Sequence, residues 1–128
     1  MEVQKLQIHG VQAKELAHVI SNYFLANRGL PENRCYTTLV GSAAIFLTEK
    51  YYLRVWKHLT GCFIFSANGE RTCAACITVG GGQIWPYGTD FGAETSYLKL
   101  LTKALEESCE AKGWRVERID VDHSARLP

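Results

Sequence analysis

The sequence predicts an α+β fold, a mostly antiparallel sheet in β-α-β(n)-α-β order with two amphipathic helices packed on one face. Three observations carry that expectation. Two segments, Val11–Asn27 and Phe91–Lys112, repeat apolar residues at intervals of three and four, so each offers one buried stripe. Between them lie several short runs rich in β-branched and aromatic residues. Within those runs, Asn68-Gly69 sits between two apolar stretches, the signature of a hairpin that reverses the chain locally and makes neighbouring strands antiparallel.

Taken in order, Glu2–His9 places Leu6 and Ile8 at strand spacing, and Gly10 breaks the run. The first helix follows with Leu16, Val19, Ile20, Tyr23 and Phe24 as its stripe, and Arg28-Gly29-Leu30-Pro31 closes it, glycine capping and proline preventing continuation. Four β-rich runs then follow: Cys35–Val40, Ala43–Thr48, Tyr51–Leu59 and the hairpin Cys62–Val79, which runs into Gly80-Gly81-Gly82. Thr89-Asp90 caps the second helix, whose stripe is Tyr97, Leu98, Leu101 and Leu105 and which Gly113 ends. Trp114–Val121 is the last strand, with Ile119 and Val121 on one face.

A two-residue turn at Asn68-Gly69 would fix the hairpin register, placing Phe65 opposite Thr72, Ile64 opposite Cys73 and Cys62 opposite Ala75. One face then collects Cys62, Ile64, Ser66, Cys73, Ala75, Ile77 and Val79, the other Phe63, Phe65, Thr72, Ala74, Cys76 and Thr78. Both faces are largely apolar, whereas two helices cover only one. The second face is therefore expected to be a working surface, because a bare apolar patch of that size is rare on a monomer. Either a second copy packs on it by two-fold symmetry, making a homodimer, or the loop Trp85-Pro86-Tyr87 closes over a small apolar or aromatic ligand.

At 128 residues and 14.3 kDa, with 47% hydrophobic and 21% charged residues, the chain is expected to form one globular domain spanning residues 1–128. Fourteen basic against thirteen acidic residues argue against an extended nucleic-acid footprint. No apolar run reaches the length of a transmembrane helix, which argues against the membrane. Met1-Glu2-Val3-Gln4-Lys5 lacks the basic and apolar regions of an export signal, and the cysteines number five, so reduced thiols in the cytoplasm are expected.

The motifs that bear on chemistry are few. Cys73-Ala74-Ala75-Cys76 has redox spacing, but it falls in a strand, where residues three apart point to opposite faces, and no second pair exists to complete a zinc site. Cys62 is expected diagonal to Cys73, too far for a relaxed disulfide. The glycine run fits neither a dinucleotide nor a Walker loop, since position 85 is Trp85 and no Lys-Ser/Thr pair follows, so it is expected as a flexible strand exit or bulge. In Tyr51–Leu59, Tyr52, Arg54, Trp56 and His58 would share an aromatic-cationic face able to hold an anionic aromatic ligand. The candidate ligand or partner residues are thus Tyr52, Arg54, Trp56, His58, Phe65, Trp85 and Tyr87, with no metal site and no cofactor expected. Nothing pairs a nucleophile with a base, so a non-catalytic binding or self-association module is expected ahead of a small thiol enzyme using Cys73 or Cys76. A regular strand from Cys73 to Cys76 would exclude the paired-thiol mechanism.

Overall fold

A computed structural model describes residues 2–26, 34–52, 57–83 and 93–120. The elements are β1 (Glu2–His9), α1 (Ala13–Ala26), β2 (Arg34–Val40), β3 (Ala43–Tyr52), β4 (Lys57–Ala67), β5 (Thr72–Gln83), α2 (Ala93–Ala111) and β6 (Arg115–Ile119). The strands form one six-stranded sheet in the order β2-β3-β4-β5-β1-β6, antiparallel throughout. The expected α+β class and element order are both present.

Alternation along each strand decides which side chains the helices bury. Leu6 and Ile8 of β1, Phe46 of β3, Leu59, Phe63 and Phe65 of β4, and Cys73, Ile77 and Val79 of β5 are all fully or almost fully buried. They meet Leu16, Ile20 and Phe24 of α1 and Tyr97, Leu101 and Leu105 of α2 in one core. Four phenylalanines from three elements hold its centre, with ring centroids 5.3 Å apart for Phe24–Phe46, 5.7 Å for Phe46–Phe63 and 5.8 Å for Phe63–Phe65. Those tilted and edge-to-face spacings add specific ring attraction to the area they bury.

The end of α2 follows from three main-chain bonds. Lys112 N donates to Cys109 O at 3.1 Å, Gly113 N to Glu110 O at 3.0 Å and Trp114 N to Cys109 O at 3.0 Å, while Gly113 takes φ +77°. This is the glycine-terminated cap expected at that position, and it turns the chain directly into β6.

The β4–β5 hairpin differs from its expected register. Asn68 N donates to Thr72 O at 2.9 Å, so the connection is Gly69-Glu70-Arg71 rather than Asn68-Gly69. Phe65 consequently pairs with Ala75, Ile64 with Cys76 and Cys62 with Thr78, three positions from the expected partners. An odd slip exchanges the faces of one strand relative to the other. All the large apolar residues of the hairpin except Ile64 therefore fall on the helix side. The cause is tertiary. Gly10 N donates to Arg71 O at 2.7 Å and Arg71 Nη2 donates to Gly10 O at 2.9 Å, which ties the turn to the β1–α1 junction.

Two further boundaries are corrected. The strand expected over Tyr51–Leu59 is instead two strand ends paired with each other, Tyr52 with Lys57 and Tyr51 with His58. Gly80-Gly81-Gly82 is no loose exit but regular β5, paired with Thr60, Leu59 and His58. The expected Thr89-Asp90 cap and the end of the last strand at Val121 lie outside the described residues.

Candidate functional site: the uncovered side of the sheet

Both helices pack on the same side, and among the described residues no element covers the other. The pairings lay out its rows. One row runs Tyr36, Leu47, Cys62, Thr78, Val3 across five strands, and the next runs Thr38, Ile45, Ile64, Cys76, Lys5, Ile119 across all six. The apolar residues concentrate toward the β2 end. Tyr36 is 62% exposed and Val40 59%, whereas Ile64, two strands inward, is 39% exposed. At the opposite end the face turns ionic, with Arg115 Nη2 3.2 Å from Glu117 Oε1 and His9 Nε2 3.4 Å from the same oxygen. The His9 contact lies within ion-pair range but off the hydrogen-bond direction, so it attracts only when the ring is protonated.

Against this layout the expected site residues separate. Phe65 is fully buried on the helix side, which corrects its placement on a second working face; the slipped register is the reason. Tyr52 ends β3 and His58 lies in β4, where the backbone pairs Tyr52 with Lys57 and Tyr51 with His58. The single strand expected to carry the aromatic-cationic face is thus two strands, β3 and β4. Arg54, Trp56, Trp85 and Tyr87 lie outside the described residues. The residues that sequence reading passed over are Tyr36, Leu39 and Val40 of β2, whose available signal was a stretch from Cys35 to Val40 with no charge and no proline.

The thiols resolve into distinct environments. The Cys73–Cys76 segment is regular β-strand, so Cys73 enters the core while Cys76 lies on the uncovered side, and the two cannot act as a redox pair. Cys62 is diagonal to Cys76 rather than to Cys73, again because of the register. All five cysteines are free. Burial pushes the Cys73 thiol up to about 11 and, with Cys73 and Glu106 nearby, that of Cys109 up to about 12. Burial also raises Cys35, Cys62 and Cys76. None is an activated nucleophile.

A pH dependence follows. In the unfolded chain these thiols ionise near 9, whereas folded Cys73 and Cys109 hold their protons to about 11 and about 12. Above pH 9 the unfolded state therefore binds fewer protons than the native one, and stability falls with rising pH through that window. Thermal unfolding at pH 7.5 and pH 10.5 should show a smaller alkaline loss in a Cys73→Ala, Cys109→Ala double variant than in wild type. Equal losses would refute the assignment.

Among the described residues, three open clefts border α1. One of about 400 Å³ lies between α1 and α2, lined by Val19, Tyr23, Glu107 and Ser108 among others. Desolvation, followed by the Glu107 charge and a hydrogen bond to its carboxylate, raises the Tyr23 hydroxyl, which is thus a held donor rather than a base. Another, of about 580 Å³, separates α1 from β2 beside Lys14, His18 and Thr37. The third, of about 310 Å³, lies between the start of α1 and the β4–β5 turn. Among the described residues no group of three His, Cys, Asp or Glu side chains could hold a metal ion, and no helix is long and apolar enough to cross a membrane.

No protein-family model matches the chain, and no curated protein matches it. Among solved structures, the chain is similar to one described as "Crystal structure of conserved protein from Geobacillus kaustophilus", at 6% identity and a TM-score of 0.39, covering 90% of this chain and 99% of that one.

Proposed function

We propose that this chain is a non-catalytic self-association module that works through the apolar surface its helices leave uncovered. The observation that carries the reading is the exposure of Tyr36, Val40 and Ile64 on the sheet side opposite the core. Contiguous apolar surface of this kind marks a contact site on small proteins. The partner is a second copy, since identical patches satisfy each other about a two-fold axis. The absence of an activated thiol and the separation of Cys73 from Cys76 support the non-catalytic part. Five free thiols suit a reducing compartment, and we place the chain in the cytoplasm on that ground.

Native mass spectrometry and sedimentation velocity test this directly. A species of twice 14.3 kDa with no bound small molecule is expected. A monomer carrying a co-purified apolar or aromatic compound would make the same face a ligand site and overturn self-association. A bare monomer at several hundred micromolar would overturn the reading altogether.

A further inference from the structure

Building on that reading, we propose that two copies join edge to edge, β2 against β2, in an antiparallel pairing whose two-fold axis passes between the two Thr37 residues. The sheet has two edges, and they are built differently. β6 is short, carries Arg115, Glu117 and Arg118 in five residues, and is pinned to α2 where Arg118 Nη2 lies 2.6 Å from Glu106 Oε1. A short, charged edge resists pairing with another chain. β2 has seven residues, and from Cys35 to Val40 it holds no charge and no proline. No described strand pairs with its outer side.

The most exposed large apolar side chains of the strands converge on this edge from both sides of the sheet. Tyr36 and Val40 stand on the uncovered side, and Leu39, 53% exposed, stands on the helix side opposite buried Ala44. The patch that defines the proposed function therefore borders β2 instead of the sheet centre, and pairing at β2 covers it from both sides at once.

The main chain selects the register. Gly41-Ser42 is a two-residue turn closed by the pair Val40–Ala43, and in such turns the closing pair is hydrogen-bonded. Alternate residues then direct their N–H and C=O groups inward to β3, which leaves those of Cys35, Thr37 and Leu39 directed outward. An axis at Thr37 sets Thr37 against its own copy and Cys35 against Leu39, giving about six main-chain hydrogen bonds. On the uncovered side Tyr36 then faces Thr38 of the second copy. The second copy is favoured over an unrelated extended segment because this register is self-complementary along the whole strand.

Sedimentation velocity on the full chain tests the pairing with substitutions at one position. Thr37→Pro removes an outward N–H without touching the β2–β3 ladder, and Thr37→Lys sets like charges face to face. Each should raise the dissociation constant by about tenfold or more. Mixing Thr37→Lys with Thr37→Glu should restore a dimer, seen by native mass spectrometry as the mixed species. A dimer that survives both Thr37→Pro and Thr37→Lys overturns the edge pairing. If that dimer is instead lost in Ile64→Glu, self-association stands and only the edge falls; a monomeric wild type overturns both.

Discussion

Gly61→Val should unfold the protein under conditions where the wild type is native, with a cost of at least about 3 kcal/mol. Gly61 lies inside β4, opposite Val79 on one neighbour and Thr48 on the other, and faces the second helix. A Cβ there would lie 2.4 Å from Leu101 Cδ1, 3.1 Å from Thr48 Cγ2 and 3.4 Å from Tyr97 Cε2. The first distance is a collision, and the side chains involved are fully buried, with no free volume to retreat into. Strand propensity alone would favour valine here, so the sign of the effect isolates the packing term. Gly61→Ala should cost about 1–3 kcal/mol by the same contact. Combining it with Leu101→Ala should cost less than the two single changes together, because the added methyl enters the space that the truncation opens. Urea unfolding of the four proteins measures this, and strict additivity would refute the contact.

Glycine at position 61 also shows where sequence patterning stops. The periodicity of α1 and α2 locates both helices to within two residues, and Leu6 and Ile8 locate β1, because those signals are local and each element buries one stripe. Two things were not local. The turn chosen by the β4–β5 hairpin depends on Arg71 reaching Gly10, sixty-one positions away, and no dipeptide preference reports that. The reversal between Tyr52 and Lys57 interrupts a run of strand-forming residues that carries neither glycine nor proline, so the sequence alternation continues through it. The candidate site reflects both differences: Phe65 lies in the core, and Tyr52 and His58 belong to two strands instead of one. Both helices pack on one side of the sheet as expected, because that depends on element number and stripe width, which no register shift alters.

Adjacent substitutions in β4 read that register out. Phe65→Glu should abolish folding, whereas Ile64→Glu should leave a native fold with a stability change of about 1 kcal/mol or less. Phe65 is fully buried, pairs with Ala75 and lies 5.8 Å from the Phe63 ring, so a carboxylate there loses its hydration among apolar neighbours. Removing a buried phenylalanine side chain alone costs about 3–5 kcal/mol, and the added charge takes the total beyond the few kcal/mol that hold a domain of this size together. Ile64 is 39% exposed on the uncovered side, where a carboxylate can stay in water, and Lys5 occupies the same row two strands away. Far-ultraviolet circular dichroism with urea titration distinguishes the two outcomes. The two-residue Asn68-Gly69 turn leaves Phe65 on the same side of β4 as Phe63, but it turns Ile64, not Phe65, toward Cys73 and Ile77. If Ile64→Glu proved as destructive as Phe65→Glu, the three-residue turn would be wrong, and both sides of the hairpin would be core.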